Sequence, residues 1–434
     1  MPQGAWKIEH LDSRSTLHFL QELLADYHPR DFAIVLWDGQ QWPPESNQFR
    51  RFTWRINDPS ALRRILASPS ELSLSEAYIY GDFDIDGDIR AIFPLAEYFL
   101  NKHWGLKEKL HFGRRLLRLP GNSHAKGAPR LHGHLHSQNR DRAAVTYHYD
   151  LSNDFYALWL DRQMIYSCAY FQKPDDDLDT AQEQKLDYIC RKLRLKPGER
   201  LLDIGCGWGA LIIHAARCYG VRALGITLSE RQLDFAHQRI QQEGLSDLCE
   251  VRLLDYREIE ENGSYDKLVS VGMVEHVGES KLPEYFERAF QALRPGGVFL
   301  NHGIGRAGTR NASREATFTD VYVFPDGELL PIAHMLDVAE KCGFEVRDVE
   351  NLREHYALTL NHWLQRLEAN ADEARQLTDE IKYRIWRLYL AGSWFFFRTG
   401  KLDIYQSLLV KTNTGTSGMP LTRQDWYPSS PAEN

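Results

Sequence analysis

One run of residues constrains this chain more than any other: Leu201-Leu202-Asp203-Ile204-Gly205-Cys206-Gly207-Trp208-Gly209. An apolar strand enters three glycines, and a helix-forming stretch follows over 210–219. Glycines let the backbone turn sharply and approach a ligand closely at the strand's carboxyl edge. The spacing is G-x-G-x-G, not the G-x-G-x-x-G of dinucleotide-binding folds. The surrounding pattern repeats the theme. Strands are expected at 200–205, 221–226, 249–254, 267–274 and 297–302, with helices at 210–219, 230–242 and 282–293. Alternation of this kind implies an α/β fold, a doubly wound parallel sheet with right-handed crossovers. A helical insertion is expected over 356–369 and 372–397, and a last strand over 403–409.

The remaining chain divides by texture. Residues 1–120 read as a smaller mixed α/β domain, with strands at 32–37 and 52–56 and helices at 58–66 and 89–100. Residues 121–144 are rich in Gly, Ser, Asn and His without periodicity and read as a linker. The alternating domain is expected to span 145–412 and a flexible tail 413–434.

Composition excludes several classes. With 43% hydrophobic and 26% charged residues, the chain is neither disordered nor low-complexity. No apolar run is long enough to span a bilayer. A net charge of −8 argues against bulk nucleic-acid binding, yet residues 101–142 hold ten bases against two acids. That stretch is suited to an anionic lipid surface. The six cysteines form no C-x-x-C pair and the start lacks a signal-peptide pattern, so reduced thiols and a cytoplasmic location are expected.

Ligands of parallel sheets sit outside the carboxyl ends of the strands. Those ends here are polar: Thr227-Leu228-Ser229, Asp255-Tyr256-Arg257, Glu275-His276 and Asn301-His302. Glu275 and His302 stand at adjacent strand ends and can converge on one small polar site. Two metal-like patterns fail on inspection. Asp82-x-Asp84-x-Asp86-Gly87 starts like an EF-hand loop, but its twelfth position is Phe93 where a Glu is required. His132, His134 and His136 sit in the linker without a carboxylate or Cys nearby. No metal is expected.

With Asp203 before it, the glycine turn resembles motif I of class I S-adenosyl-L-methionine (SAM) methyltransferases. Further segments sharpen the resemblance: His148-Tyr149-Asp150-Leu151-Ser152-Asn153-Asp154-Phe155-Tyr156, Tyr166-Ser167-Cys168-Ala169-Tyr170-Phe171, Gly225-Ile226-Thr227-Leu228-Ser229, Glu275-His276-Val277-Gly278 and Val323-Phe324-Pro325-Asp326-Gly327-Glu328-Leu329. Together they resemble the cyclopropane-fatty-acyl-phospholipid synthase family over about 145–412. The stretch 81–88 resembles the amino-terminal lipid-binding domain of its full-length members.

The resemblance implies a Rossmann-like SAM-methyltransferase fold and a SAM site from Tyr166, Ser167, Asp203, Gly205, Gly207, Gly209, Thr227, Leu228, Ser229, Gln232, Asp255, Tyr256 and Arg257. No acid ends the second strand, so Thr227, Ser229 and Gln232 stand in for it. The implied reaction adds the SAM methyl carbon to a cis double bond of a phospholipid acyl chain. An alkene is a weak nucleophile, so this leaves a carbocation. Aromatic faces stabilise such a cation, with Tyr149, Tyr166, Tyr170 and Phe171 the candidates. The family's proton acceptor is bicarbonate, which the resemblance assigns to Cys168, Glu275, His302, the backbone N–H of Ile304, and Tyr356. Inert burial and a nucleophilic thiol are the other readings of Cys168. Alternatives to a cyclopropane are a methyl-branched or methylene product, or a non-catalytic lipid-binding relative. Unsaturated phospholipids at the inner membrane face are the expected partners, with peripheral attachment; a homodimer is an assembly the resemblance allows.

Overall fold

The computed structural model describes residues 13–102, 105–117, 119, 151–260, 262–306 and 317–427. The linker expected over 121–144, its three histidines and Tyr149 lie outside them. The chain divides into two compact units. One comprises Met1–Pro129, Arg314–Tyr322 and Glu380–Gly392; the other comprises Arg130–Ser313, Val323–Asp379 and Ser393–Asn434. Two later segments thus join the amino-terminal part, which a single boundary at 120 does not anticipate.

The first unit holds a mixed four-stranded sheet in the order β2-β1-β3-β4, formed by β1 (Phe32–Val35), β2 (Gln41–Trp42), β3 (Phe52–Ile56) and β4 (Phe83–Gly87). Only β1 and β3 are parallel. Its helices are α1 (Ser13–Leu23), α2 (Ala61–Ala67), α3 (Glu71–Ile79), α4 (Phe93–Asn101) and α5 (Leu106–Leu116). The EF-hand-like run is strand β4, not a loop. Arg64 takes Asp82 at 2.5 Å, Arg55 takes Asp86 at 2.8 Å, and Arg384 pairs with Asp84. Each carboxylate therefore has a guanidinium where a cation would need it.

The second unit is built on a seven-stranded sheet in the order β10-β11-β9-β8-β5-β6-β7. These strands are β5 (Arg200–Ile204), β6 (Arg222–Thr227), β7 (Cys249–Leu253), β8 (Tyr265–Val271), β9 (Leu293–Arg306), β10 (Glu345–Asn351) and β11 (Leu402–Val410). The pairings from β7 through β9 are parallel, and β11 runs antiparallel to both β9 and β10. The central strands β5 and β8 are largely buried on both sides because both faces are covered, whereas the edge strands β7 and β10 are polar and more exposed. Leu201, Val298 and Leu300 face one cluster with α7 (Leu178–Leu193), α8 (Ala210–Tyr219) and α9 (Glu230–Gln242). Leu202, Ile204 and Phe299 face the other with α10 (Leu282–Ala292) and α11 (Ile332–Lys341). A short helix α6 (Asn153–Ala157) precedes the sheet, and α12 (Arg353–Ala369) follows β10.

Several boundaries differ from expectation for physical reasons. Strand β9 runs four residues past 302, because β11 pairs with it from Val298 through Arg306. The helix expected over 372–397 is two, Ala371–Leu377 and Glu380–Arg398. The stretch 413–427, expected to be a flexible tail, is mostly exposed but is anchored to the rest of the second unit near its end. Trp426 is buried in its core, and Arg194 forms a two-pronged pair with Asp425.

Candidate active site

The strand order reverses between β6 and β8 around β5, so a crevice opens at the carboxyl end of β5. Gly205, Gly207 and Gly209 all have positive φ, at 85°, 54° and 84°. The backbone N–H groups of Gly205 and Cys206 donate to the Ile226 carbonyl at 3.0 and 2.9 Å, tying the turn to β6. A Cβ on Gly207 would meet nothing within 4 Å, so that face of the turn is open.

Eleven of the thirteen expected SAM residues line one cavity here: Tyr166, Ser167, Asp203, Gly205, Gly207, Thr227, Leu228, Gln232, Asp255, Tyr256 and Arg257. Gly209 and Ser229 do not line it. A Cβ on Gly209 would press the Ala236 Cβ at 3.1 Å, so this glycine lets α8 and α9 pack closely. The Ser229 hydroxyl caps α9, accepting from the Gln232 N–H. The cavity's polar wall is largely pre-paired. Thr227 donates to Gln232 Oε1 at 2.8 Å, and Arg257 donates to Asp255 at 2.7 Å.

Helix α12 positions the segment 166–171. The Ala169 N–H donates to Thr359 Oγ1 and the Phe171 N–H to His355 Nδ1, both at 3.0 Å. Tyr166 meets the rings of Tyr156, Trp159 and Trp363, with centroids 5.3–5.9 Å away. Trp208 joins this wall against Tyr156 and donates to Asn153. Of the expected aromatic residues that are described, Tyr166 alone lines the cavity. Tyr170 stacks on Tyr188 and His355, and Phe171 on His362, so local packing claims their faces.

Lys185 of α7 is a site residue that sequence reasoning missed. It is buried, lines the cavity, and donates to Ser167 Oγ at 2.9 Å. Burial pulls its pKa down to about 8 against the opposing pull of Asp161, Cys168 and Asp203. Burial likewise pushes Asp203 up to about 7, with Lys185 resisting. The signal available was spacing: apolar positions 178, 181, 186, 189 and 193 describe one buried stripe, and Lys185 lies on it.

The five expected bicarbonate residues come from four separate stretches. Glu275 lies on a single 3₁₀ turn, Val274–His276, after β8 ends at Val271. Its Oε1 accepts from the Ile304 N–H at 2.7 Å, while its buried Oε2 has no hydrogen-bond partner among the described residues. Burial pushes Glu275 up to about 7. His302 pairs across the strands with Gln406, whose Nε2 stands 3.2 Å from His302 Nδ1. An amide NH₂ only donates, so Nδ1 accepts and the neutral ring carries its proton on Nε2. That Nε2 is buried without a partner among the described residues. Burial, aided by Lys185, Lys192 and His355, holds His302 well below the usual histidine range, so the ring stays neutral.

Backbone contacts bring in the rest. Leu352 donates to the Ile404 carbonyl, and Ile404 pairs with Ile304. The Leu352 carbonyl accepts from the Tyr356 N–H at 3.0 Å and lies 3.9 Å from Cys168 Sγ. Tyr356 is buried against Phe397 and Trp363. Burial pushes the Cys168 thiol far up, and it points at the Ala169 carbonyl at 3.3 Å. It is a protonated thiol, not an attacking thiolate. Asn301, on the opposite face of β9, is taken by Tyr285.

The sheet order and the crevice at its switch point are those of the SAM-dependent methyltransferases, in a Rossmann-like domain accompanied by a separate mixed α/β amino-terminal domain. A family model described as mycolic acid cyclopropane synthetase matches residues 136–407, and one described as a domain of unknown function matches 19–103. A probable fatty acid methyltransferase of Pseudomonas putida is 41% identical over 91% of this chain and 95% of that one. The cyclopropane-fatty-acyl-phospholipid synthase of Escherichia coli is 35% identical over 81% and 86%. The solved mycolic acid cyclopropane synthase CmaA1, complexed with SAH and CTAB, superposes with a TM-score of 0.59 at 35% identity, covering 62% of this chain and 97% of that one. The chain belongs to this cyclopropane synthase family, in its full-length form with the amino-terminal domain, and is a SAM-dependent lipid methyltransferase.

Proposed function

We propose that the chain transfers the methyl carbon of SAM to a cis double bond of an unsaturated phospholipid acyl chain and closes it to a cyclopropane. The alkene's electron pair forms the new C–C bond as the S–CH₃ bond breaks, leaving a carbocation on the acyl chain. A C–H bond of the added methyl group must then break. Its electron pair forms the third side of the ring. A bicarbonate held by Cys168, Glu275, His302, the Ile304 N–H and Tyr356 would supply the base for that proton.

The carrying observation is the pair of buried atoms Glu275 Oε2 and His302 Nε2, neither with a hydrogen-bond partner among the described residues. Buried polar atoms are rarely left so, and each costs about 1–3 kcal/mol unless something occupies the space. A neutral ring donating from Nε2 and a carboxyl protonated below about 7 fit a small anion. The aromatic wall of Tyr156, Trp159, Tyr166 and Trp363 excludes water, which would otherwise capture the cation as an alcohol.

A second reading keeps the methyl transfer but lets the proton leave elsewhere, giving a methyl-branched or methylene chain. The Pseudomonas relative's description as a probable fatty acid methyltransferase favours it. The test is labelled SAM with unsaturated phospholipid vesicles, followed by NMR of the acyl chains. Ring protons are expected. An exomethylene or branched methyl signal instead would establish the second reading. Carbonate depletion should slow ring formation and added bicarbonate should restore it; indifference to carbonate would remove the bicarbonate assignment.

A further inference from the structure

Helix α5 leaves one face bare. Leu106, Leu110 and Leu117 are 78%, 56% and 68% exposed, although leucine gains by burial. At about 100° per residue, the three fall within about 40° of one another. Arg114 and Lys107 lie about 60–80° to one side of this stripe and Lys109 about 80° to the other. All three bases are exposed, and no ion pair among the described residues engages them. The opposite face is occupied. Phe112 packs edge-on against Phe19 at 5.9 Å, and Arg115 pairs with Glu22. Arg115 is thereby removed from the bases available to an outside partner.

We infer that α5 is a membrane-docking helix that lies in the interface of an anionic phospholipid bilayer. The stripe inserts between headgroups and acyl chains while Lys107, Lys109 and Arg114 reach sideways to lipid phosphates. A narrow apolar stripe edged on both sides by cations matches a surface that is apolar inside and negative at its boundary. A protein partner would need a groove for the leucines and acids on both rims; a bilayer supplies both everywhere. No helix among the described residues is long and apolar enough to cross a membrane, so attachment through α5 is peripheral. The inference deepens the proposed function, because it rests on the acyl substrate residing in a membrane.

The test uses the full chain and vesicles of diphytanoyl phosphatidylglycerol and phosphatidylcholine, which contain no double bond and so report binding apart from turnover. Co-sedimentation should show binding that weakens with salt and with falling phosphatidylglycerol. Leu106→Ser/Leu110→Ser/Leu117→Ser should weaken it at least about tenfold at low salt. Lys107→Gln/Lys109→Gln/Arg114→Gln should abolish the salt-sensitive part and match the unaltered chain at about 0.5 M salt. Melting temperature and activity on detergent-dispersed phospholipid should be unchanged in both. Binding unaffected by the leucine changes would overturn the inference. So would a dimer in lipid-free solution that the leucine changes dissociate, since the stripe would then be a protein interface. Vesicle binding through α5 without any ring formation on dioleoyl lipid would remove the proposed chemistry and leave the docking helix standing.

Discussion

Around the glycine turn, polar side chains arrive already partnered. Thr227 is held by Gln232 and Asp255 by Arg257. On the far side of the site, Glu275 Oε2 and His302 Nε2 are buried with no hydrogen-bond partner among the described residues. The two walls suit different occupants. SAM must enter and its product must leave at every turnover, so a wall that satisfies itself costs little when empty. A wall with orphaned buried groups is unfavourable when empty, by about 1–3 kcal/mol per group, and is retained where a resident occupant satisfies it. The exception on the cofactor side is Asp203 Oδ1, also orphaned, whose carboxyl feels the buried Lys185. The proposed exchange of SAM and residence of a small anion would each suit the hydrogen bonding of its own wall.

The sharpest way to break this comparison is to disable the orphaned wall alone. His302→Phe removes the Nε2–H donor and should lower turnover by roughly 10²-fold or more, the size usual for a positioned acid–base group. SAM affinity by calorimetry should hardly change, since the residue acts on the cation and not on cofactor binding. Glu275→Gln should cost less, because an amide still accepts from the Ile304 N–H and still donates from its other end. The pH profile distinguishes them. Glu275 has a folded pKa raised to about 7, so its donating form is present below that pH and is lost as pH rises through it. Turnover should fall on the alkaline side of about 7, and Glu275→Gln should flatten that limb. An unchanged limb would mean Glu275 is not the titrating group.

The complementary change strikes the exchanging wall. Gly207 has φ of 54° and faces open space. Gly207→Val forces a β-branched residue into the left-handed region and fills the face left open for a ligand. SAM affinity should fall by about 30-fold, roughly 2 kcal/mol, with turnover at saturating SAM reduced far less. Equal SAM affinity would remove this turn from the cofactor site.

How far each wall was legible follows the same division. The glycine turn and the ends of β5, β6 and β7 are local: a strand, a break and a helix within ten residues announce themselves. The orphaned wall is not local. Glu275 and His302 were legible as polar residues after apolar strands, although Glu275 stands on a turn beyond β8 and His302 inside β9, and Gln406 sits on β11, whose antiparallel register against β9 has no short-range signal. Lys185 was hidden because α7 itself went unread, and a lysine on an apolar stripe looks like a break in the pattern. The aromatic wall failed for a related reason. Tyr170 and Phe171 neighbour Cys168 in sequence, yet their faces are taken by Tyr188, His355 and His362, whereas Trp363 comes from α12, nearly 200 residues on. Ser229 and Gly209 show the converse, motif residues that serve the scaffold: one caps α9, the other lets it approach α8.

Gln406 offers the finest test, because its Nε2 contacts His302 directly. Its Nε2 donates to Nδ1, which fixes the ring proton on Nε2. Gln406→Leu removes that donor and leaves the neutral ring free to take either tautomer. If about a tenth of the rings then present Nε2–H in the right orientation, turnover falls about tenfold, smaller than the turnover loss for His302→Phe and smaller than the affinity loss for Gly207→Val. Gln406→Glu is the informative partner. A carboxylate accepts from Nδ1–H, which converts Nε2 into an acceptor and turns a lone pair toward any anion. It should therefore lose more than the leucine variant despite closer shape, and the KM for SAM should stay put in both. Nitrogen NMR of labelled His302 reads the tautomer directly: protonated Nε2 in the native chain, a mixture in the leucine variant, protonated Nδ1 in the glutamate variant. Gln406→Glu behaving like Gln406→Leu in turnover, with its tautomer reversed, would show that the donor on Nε2 is not what the chemistry uses. The orphaned wall would then be explained by Glu275 alone.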